Sequence, residues 1–298
     1  MKMRNIFHSP DILLVLAAFF WSGNFIVGRF VREIIPPIGL SFWRWFFASL
    51  IIFFIARPHL KRDWKQIRKN FPLLFLLSFM SVATFNPLIY SGLHWTTSLN
   101  AFLLQAVMPV LIVFMAFIFF REKILPLQGA GVVLSLIGAC TIIVHGDWKI
   151  LQVLSVNRGD LLIFIAVAFY AGYSILMRKS PSIHPLSFAT VTFAAGTLTL
   201  LPVYIWESVY IMPMPLTVSS VLAVGYAAIF PSIISYMSYN RAVELTGATR
   251  AGMYVYLMPV FGSLMAVVFL GESFEWFHLV GIILIIPGIL LVTRMKKK

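Results

Sequence analysis

The sequence predicts an all-α membrane protein, ten transmembrane helices in two inverted five-helix repeats, and three observations lead there. Of its 298 residues 60% are hydrophobic and 11% charged, with a mean hydropathy of +0.94, far outside the composition of soluble domains. The apolar residues gather in runs of roughly 17 to 23, the length that crosses a ~30 Å hydrocarbon layer. An offset of 150 residues then lays much of the first half on the second without a gap. Helices are expected rather than a barrel, because lipid offers backbone groups no partners and alternating strand patterning is absent.

The first five spans are expected at 11–31, 38–56, 71–93, 98–120 and 127–144. Lys2 and Arg4 ahead of the first mimic a signal peptide, but the run is long enough to span, lacks a small-residue cleavage site and recurs later in the chain. The second holds Arg44, the one basic residue clearly inside a span, and leads into the basic stretch Arg57 to Lys69, expected to rest on anionic lipid with Trp64 at the interface. The third carries Asn86 and Tyr90, the fourth Gln105 and Pro109, and Glu122 follows the fourth. In the fifth, Gly131, Ser135 and Ala139 form a small-residue stripe suited to close helix packing.

The second five spans are expected at 159–177, 186–206, 218–240, 248–270 and 277–293. Tyr170 and Tyr173 lie in the sixth, Ser232, Tyr236, Tyr239 and Asn240 in the eighth, and Tyr256 and Pro259 in the ninth, with Glu272 just beyond it. Asp11 and Asp160 open equivalent helices, where a carboxylate caps backbone donors and complements the dipole. With the N-terminus in the cytoplasm, eighteen of the 23 basic residues fall on that side, four outside and Arg44 within. The positive-inside rule therefore places both termini in the cytoplasm. The net charge of +13 sits in connectors and tails rather than on one face, so no nucleic-acid partner is expected. Cys140 is the single cysteine, which excludes an intrachain disulfide.

Under the 150-residue offset Met108, Pro109, Val110, Glu122, Gly131 and Gly138 fall on Met258, Pro259, Val260, Glu272, Gly281 and Gly288; an offset of 149 lays Asp11 and Gly23 on Asp160 and Gly172, with Trp21 on Tyr170. Pro, Glu and Gly in one register indicate duplication, with repeats at 1–146 and 147–298. Five spans per repeat make the second enter the membrane from the opposite side. Basic residues track that topology: Arg241 and Arg250 correspond to Ser91 and Asn100.

The paired segments Ala106-Val107-Met108-Pro109-Val110 to Glu122 and Tyr256-Leu257-Met258-Pro259-Val260 to Glu272, with Phe20-Trp21-Ser22-Gly23-Asn24-Phe25 and Phe42-Trp43-Arg44-Trp45-Phe46, resemble the EamA family of the drug/metabolite transporter superfamily over nearly the whole chain. Arg121, where the second half has Gly271, is a departure. The resemblance implies a ten-helix inner-membrane exporter or exchanger of small metabolites, amino acids or related compounds among them, working by alternating access, and leaves the cargo open.

The candidate substrate-binding residues are Trp21, Asn24, Asn86, Tyr90, Gln105, Tyr170, Tyr173, Tyr236 and Tyr256, polar or aromatic groups placed deep in spans. An interhelical hydrogen bond is the plain alternative for Asn24. Pro109 and Pro259 are candidate hinges, since proline removes a helical hydrogen bond near the midplane. Arg44, Glu122 and Glu272 are expected to be structural. For Arg44 the choices are snorkelling outward, an ion pair with Glu33, or a substrate anchor. No metal-ligand cluster, Walker A loop, HExxH or catalytic constellation occurs, so an enzyme is not expected and neither is a cofactor. With no carboxylate or histidine near a midplane, exchange or facilitated diffusion is expected over proton coupling. The expected partners are a small-molecule metabolite and membrane lipid, in a monomer or homodimer. A channel-like or structural membrane protein is the alternative, separable by saturation and counterflow.

Overall fold

A computed structural model of the chain describes residues 9–96, 98–123, 125–152, 156–270 and 273–293. Among these every regular element is helical, and nine helices are long and apolar enough to cross a membrane. They are α1 (Pro10–Val31), α2 (Pro37–Lys69), α3 (Phe71–Gly92), α4 (Asn100–Phe120), α5 (Pro126–Ile143), α6 (Arg158–Lys179), α7 (Pro185–Tyr210), α8 (Val218–Thr246) and α10 (Trp276–Thr293). Between α8 and α10 lies α9 (248–270), built from Ala248–Met253, a 3₁₀ turn at Tyr254–Tyr256 and Leu257–Leu270. It is helical too, but its described part is not among the nine.

The second helix does not end near residue 56. It runs on through Pro58 to Lys69, because Lys, Arg and Gln are good helix formers and Asp63 and Ile67, one turn apart, bury a common face. Trp64 is exposed on the other side.

α2 and α7 lie antiparallel, each capping the other. Glu207 near the end of α7 accepts the Ile38 and Gly39 N–H groups at the start of α2 (3.0 and 2.6 Å). Asp63 near the end of α2 accepts the His184 N–H at the start of α7 (2.8 Å). A carboxylate at a helix N-terminus satisfies orphan donors and the dipole together. Midway, the Ser49 and Thr197 hydroxyls are 3.4 Å apart.

α5 and α10 form the second antiparallel pair, and their glycines determine its closeness. A Cβ on Gly138 would stand 2.8 Å from the Gly281 carbonyl oxygen, and one on Gly281 equally close to that of Gly138. Gly131 meets Gly288 in the same manner. Any side chain at these positions would push the backbones apart, the physical content of the small-residue stripe. Ser135, between them, donates to the Ile285 carbonyl (3.4 Å).

Residues at corresponding places in the two halves thus touch each other. Ser135 and Ile285 are 150 apart, Ser49 and Thr197 148 apart, and Trp21 and Tyr170, 149 apart, meet edge to face at 5.8 Å. Irregular backbone recurs at the same spacing. π-helical turns interrupt α3 at Phe79–Ala83 and α8 at Ala228–Ser235, the first followed by Pro87 and the second containing Pro231, and each proline deprives the carbonyl four residues earlier of its donor. α4 breaks at Val107, between Ser98–Ala106 and Met108–Phe120, and α9 tightens into its 3₁₀ turn just before Leu257.

Candidate functional site

The irregular turns of α3, α4, α8 and α9 converge with α1, α2 and α6 on one cavity of about 40 Å³ at the centre of the bundle, room for a water or two. Of the residues singled out in the sequence, Trp21, Asn24, Asn86, Gln105, Tyr170 and Tyr236 line it. Arg44 lines it as well, with Ser81 and Pro231 from the π-helical turns, and Met108 and Met258, which precede the two prolines. Because proline has no N–H, Pro109 and Pro259 leave the carbonyls of Gln105 and Val255 without their helical donor. Both of those residues line the cavity.

Three expected lining residues stand one layer back. Tyr90 binds Arg44 and Asn24 from behind, Tyr173 donates to Asn240 Oδ1 (2.7 Å), and Tyr256 is buried outside the lining. The reason is local geometry. Tyr173 lies one turn from Tyr170 but turns toward Tyr236 in α8, and the 3₁₀ turn of α9 puts Val255 in place of Tyr256 on the wall.

The aromatic side of the cavity is continuous. Trp21 packs on Tyr170 and Tyr239, Tyr170 on Phe85 and Tyr173, and Trp45 on Tyr236. Trp21 Nε1 donates to the Pro231 carbonyl (3.3 Å), so the π-helical turn of α8 is tied to α1 across the two halves.

The polar side is built on Arg44. It is 2% exposed, so it does not snorkel, and Glu33 pairs with its neighbour Arg32 instead (2.9 Å). Arg44 Nε donates to Ser232 Oγ (2.9 Å), while Nη1 donates to Asn24 Oδ1 (3.2 Å), Asn86 Oδ1 (3.1 Å) and Tyr90 OH (2.8 Å). The guanidinium also lies 5.1 Å from the Trp45 ring centroid, within cation–π range. Tyr90 OH in turn donates to Asn24 Oδ1 (2.9 Å). Asn24 therefore takes part in interhelical hydrogen bonds and lines the cavity at once.

Glu122 accepts from Arg178 at the end of α6 (2.9 Å), while Glu272 lies outside the described residues. A wider space of about 850 Å³ opens at this basic end of the bundle, among Arg62, Asp63, Glu122, Arg178, His184 and Glu244. Beside it Arg250 Nη2 and Tyr254 OH both donate to Asp11 Oδ1 (2.7 and 2.5 Å), tying α9 to α1. At the opposite end Asp160 accepts from Thr96, from Asn100 (3.1 and 3.2 Å) and from the Asn157 N–H (3.0 Å), tying α6 to the segment between α3 and α4. Asp160 is an N-terminal cap, as its place in the sequence suggested; Asp11 forms an ion pair that the sequence did not reveal, its partner lying 239 residues away.

The chain matches the model of the EamA-like transporter family twice, over residues 8–144 and 157–294. Among similar proteins are the "Uncharacterized transporter YyaM" of Bacillus subtilis (strain 168), 26% identical over 97% of this chain and 94% of its own, and a "Probable terminal-alkyne amino-acid exporter" of Streptantibioticus cattleyicolor, 27% identical over 94% and 92%. One solved crystal structure superposes with a TM-score of 0.78 over 96% of this chain and 97% of its own, at 18% identity, which is a likeness of fold alone.

Proposed function

We propose, from the premise that the chain belongs to the EamA-like transporter family, that it carries small organic metabolites, amino acids or related compounds, across the bacterial inner membrane by alternating access, as an exporter or exchanger. The ten helices α1–α10 are ten spans in two inverted repeats, 1–146 and 147–298. The basic end is cytoplasmic by the positive-inside rule, and so are both termini. The observation that carries this reading is the single central cavity, walled by corresponding elements of both halves and fringed by their paired backbone breaks. Repeat interfaces with broken helices at mid-membrane are where secondary carriers bind.

Pro109 and Pro259 act as the hinges, since each break adjoins a lining methionine. Trp21, Tyr170 and Tyr236 supply apolar surface, and Asn24, Asn86 and Gln105 supply polar contacts. Tyr90, Tyr173 and Tyr256 support that wall from behind. Amino acids are favoured by this mixture of aromatic and hydrogen-bonding groups and by the amino-acid exporter among the relatives. A cavity of about 40 Å³ must widen to admit such a solute, as a site between two rocking halves can.

The test is counterflow in proteoliposomes. Vesicles loaded with an unlabelled amino acid should transiently concentrate the labelled one, saturably, and Asn24→Ala or Tyr170→Ala should raise KM or lower the rate while the protein still inserts. Linear, unsaturable flux would mean a channel. Absence of flux for every metabolite tried would leave a structural role.

A further inference from the structure

We infer that Arg44 is the anchor for a carboxylate on the transported solute, so that the site selects small carboxylic acids, amino acids included, over their amides and amines. The inference rests on reading the central cavity as the transport site, and it adds the chemistry by which that site chooses.

The first ground is charge. Arg44 is buried in the centre of the bundle, and all four of its hydrogen-bond acceptors are neutral: Ser232, Asn24, Asn86 and Tyr90. Among the described residues no carboxylate forms an ion pair with it. Hydrogen bonds orient and partly solvate a guanidinium but do not neutralise it, and a buried cation is ordinarily held by an anion. In a poorly screening environment the uncancelled charge attracts any anionic group that reaches the cavity.

The second ground is the set of hydrogen-bonding groups left over. Nε and Nη1 are engaged, whereas Nη2 makes no hydrogen bond among the described residues. Elsewhere in the lining of the same cavity Gln105 Nε2, Trp45 Nε1 and Tyr170 OH are buried without a partner. The two nitrogens can only donate, and the hydroxyl is able to. Meanwhile the lining amide oxygens of Asn24 and Asn86 are already occupied. Beside the freed carbonyls of Gln105 and Val255, which accept, the lining offers spare donors around a cation, the complement of an acceptor-only anion. Buried polar atoms left unpaired are uncommon and call for a reason; a polar solute in the cavity supplies one for those that line it.

The third ground separates carboxylate from phosphate. Arg44 is the only basic residue on the described wall, and one positive charge balances a carboxylate but not a phosphate dianion. Anchoring there also reaches both halves. Asn24, Asn86 and Tyr90 belong to the first and Ser232 to the second, so an anion on Arg44 bears on contacts between the elements that must move.

The experiment compares matched ligands on the full-length protein. Leucine, phenylalanine and threonine are each set against the primary amide and the decarboxylated amine, and binding is read from tryptophan fluorescence, Trp45 and Trp21 being at the cavity, and from thermal stabilisation. The expected result is that the acid of at least one series binds about thirtyfold or more tightly than its amide and amine, the scale of a lost buried charge contact. In Arg44→Gln that preference should collapse to about twofold, with Arg44→Lys intermediate. Amides or amines binding as well as acids, no binding in any series, or an unchanged preference in Arg44→Gln overturns the anchor. Should Arg44→Gln fail to fold, the ligand comparison on the unaltered protein decides. Counterflow measured in parallel separates the two readings: acid-selective binding without counterflow removes the carrier and keeps the anchor, and counterflow without acid preference does the reverse.

Discussion

Asp11 and Asp160 occupy the same place in the two halves, one at each end of the bundle, yet they are held by different chemistry. Asp11 faces Arg250 in an ion pair whose side chains are 51% and 31% exposed, beside the 850 Å³ opening at the basic end. Asp160 is 7% exposed and, among the described residues, is bound by the neutral donors Thr96, Asn100 and the Asn157 backbone. Arg250 and Asn100 are themselves counterparts, 150 residues apart. A carboxylate thus stands at each end, with a cation for partner at the basic end and amide, hydroxyl and backbone donors at the other. Matching positions in the two halves therefore need not be held with matching strength. The buried contact lies at the closed end of the bundle and the half-exposed one beside the wide opening at the basic end.

The two carboxylates should differ most in stability. Asp160→Ala strands the Thr96, Asn100 and Asn157 donors in a buried setting, and should cost about 3 kcal/mol. Asp11→Ala removes a half-exposed pair and should cost about 1 kcal/mol or less. Thermal unfolding in detergent gives both values, and an equal or reversed order would refute the contrast between the two contacts.

A smaller effect comes from exchanging the partners. Asn100→Arg would give the buried contact the cation of its counterpart, holding that end shut and slowing counterflow by about threefold. Unchanged or faster counterflow would show that this contact does not open in the cycle. Arg250→Asn, the reverse exchange, should alter the rate by less than about twofold.

The smallest effect is expected from pH at the basic end. There His184 stacks on His59 with ring centroids 3.6 Å apart, and burial first, then His59 and Arg62, holds its pKa below the usual value of 6.5. The unfolded chain thus takes up the proton first. Stability should be flat above pH 6.5 and fall as the pH drops below it. His184→Asn should flatten that slope, and the cap between Glu207 and the start of α2 has no such histidine stack. An unaltered slope in His184→Asn would assign the pH response elsewhere.

What the sequence made legible follows from what each residue's meaning depends on. Trp21, Asn24, Asn86, Gln105, Tyr170 and Tyr236 could be picked out because a polar or aromatic group deep in an apolar run has few places to go, and the structure brings all six to one cavity. The duplicated Met-Pro pairs announced the breaks in α4 and α9. The π-helical turns left little trace, since Pro87 and Pro231 are not counterparts even though the turns they adjoin are. Arg44 was expected to be structural, with Glu33 as the nearest acid in sequence. Its real neighbours come from α1, α3 and α8, up to 188 residues away, and only the packed helices could identify them. Glu207 and Asp63, capping each other's helices, were hidden for the same reason.

Alternating access requires one site reached in turn from both faces, and the chain suits a direct test, because Cys140→Ser removes its single cysteine. Met108 and Met258, counterparts on the two walls of the cavity, can then be replaced one at a time by cysteine and labelled with a membrane-impermeant thiol reagent applied to either side of oriented vesicles. The account predicts that each cysteine reacts from both sides, and that a bound solute protects both. Reaction of each from one side only would contradict it.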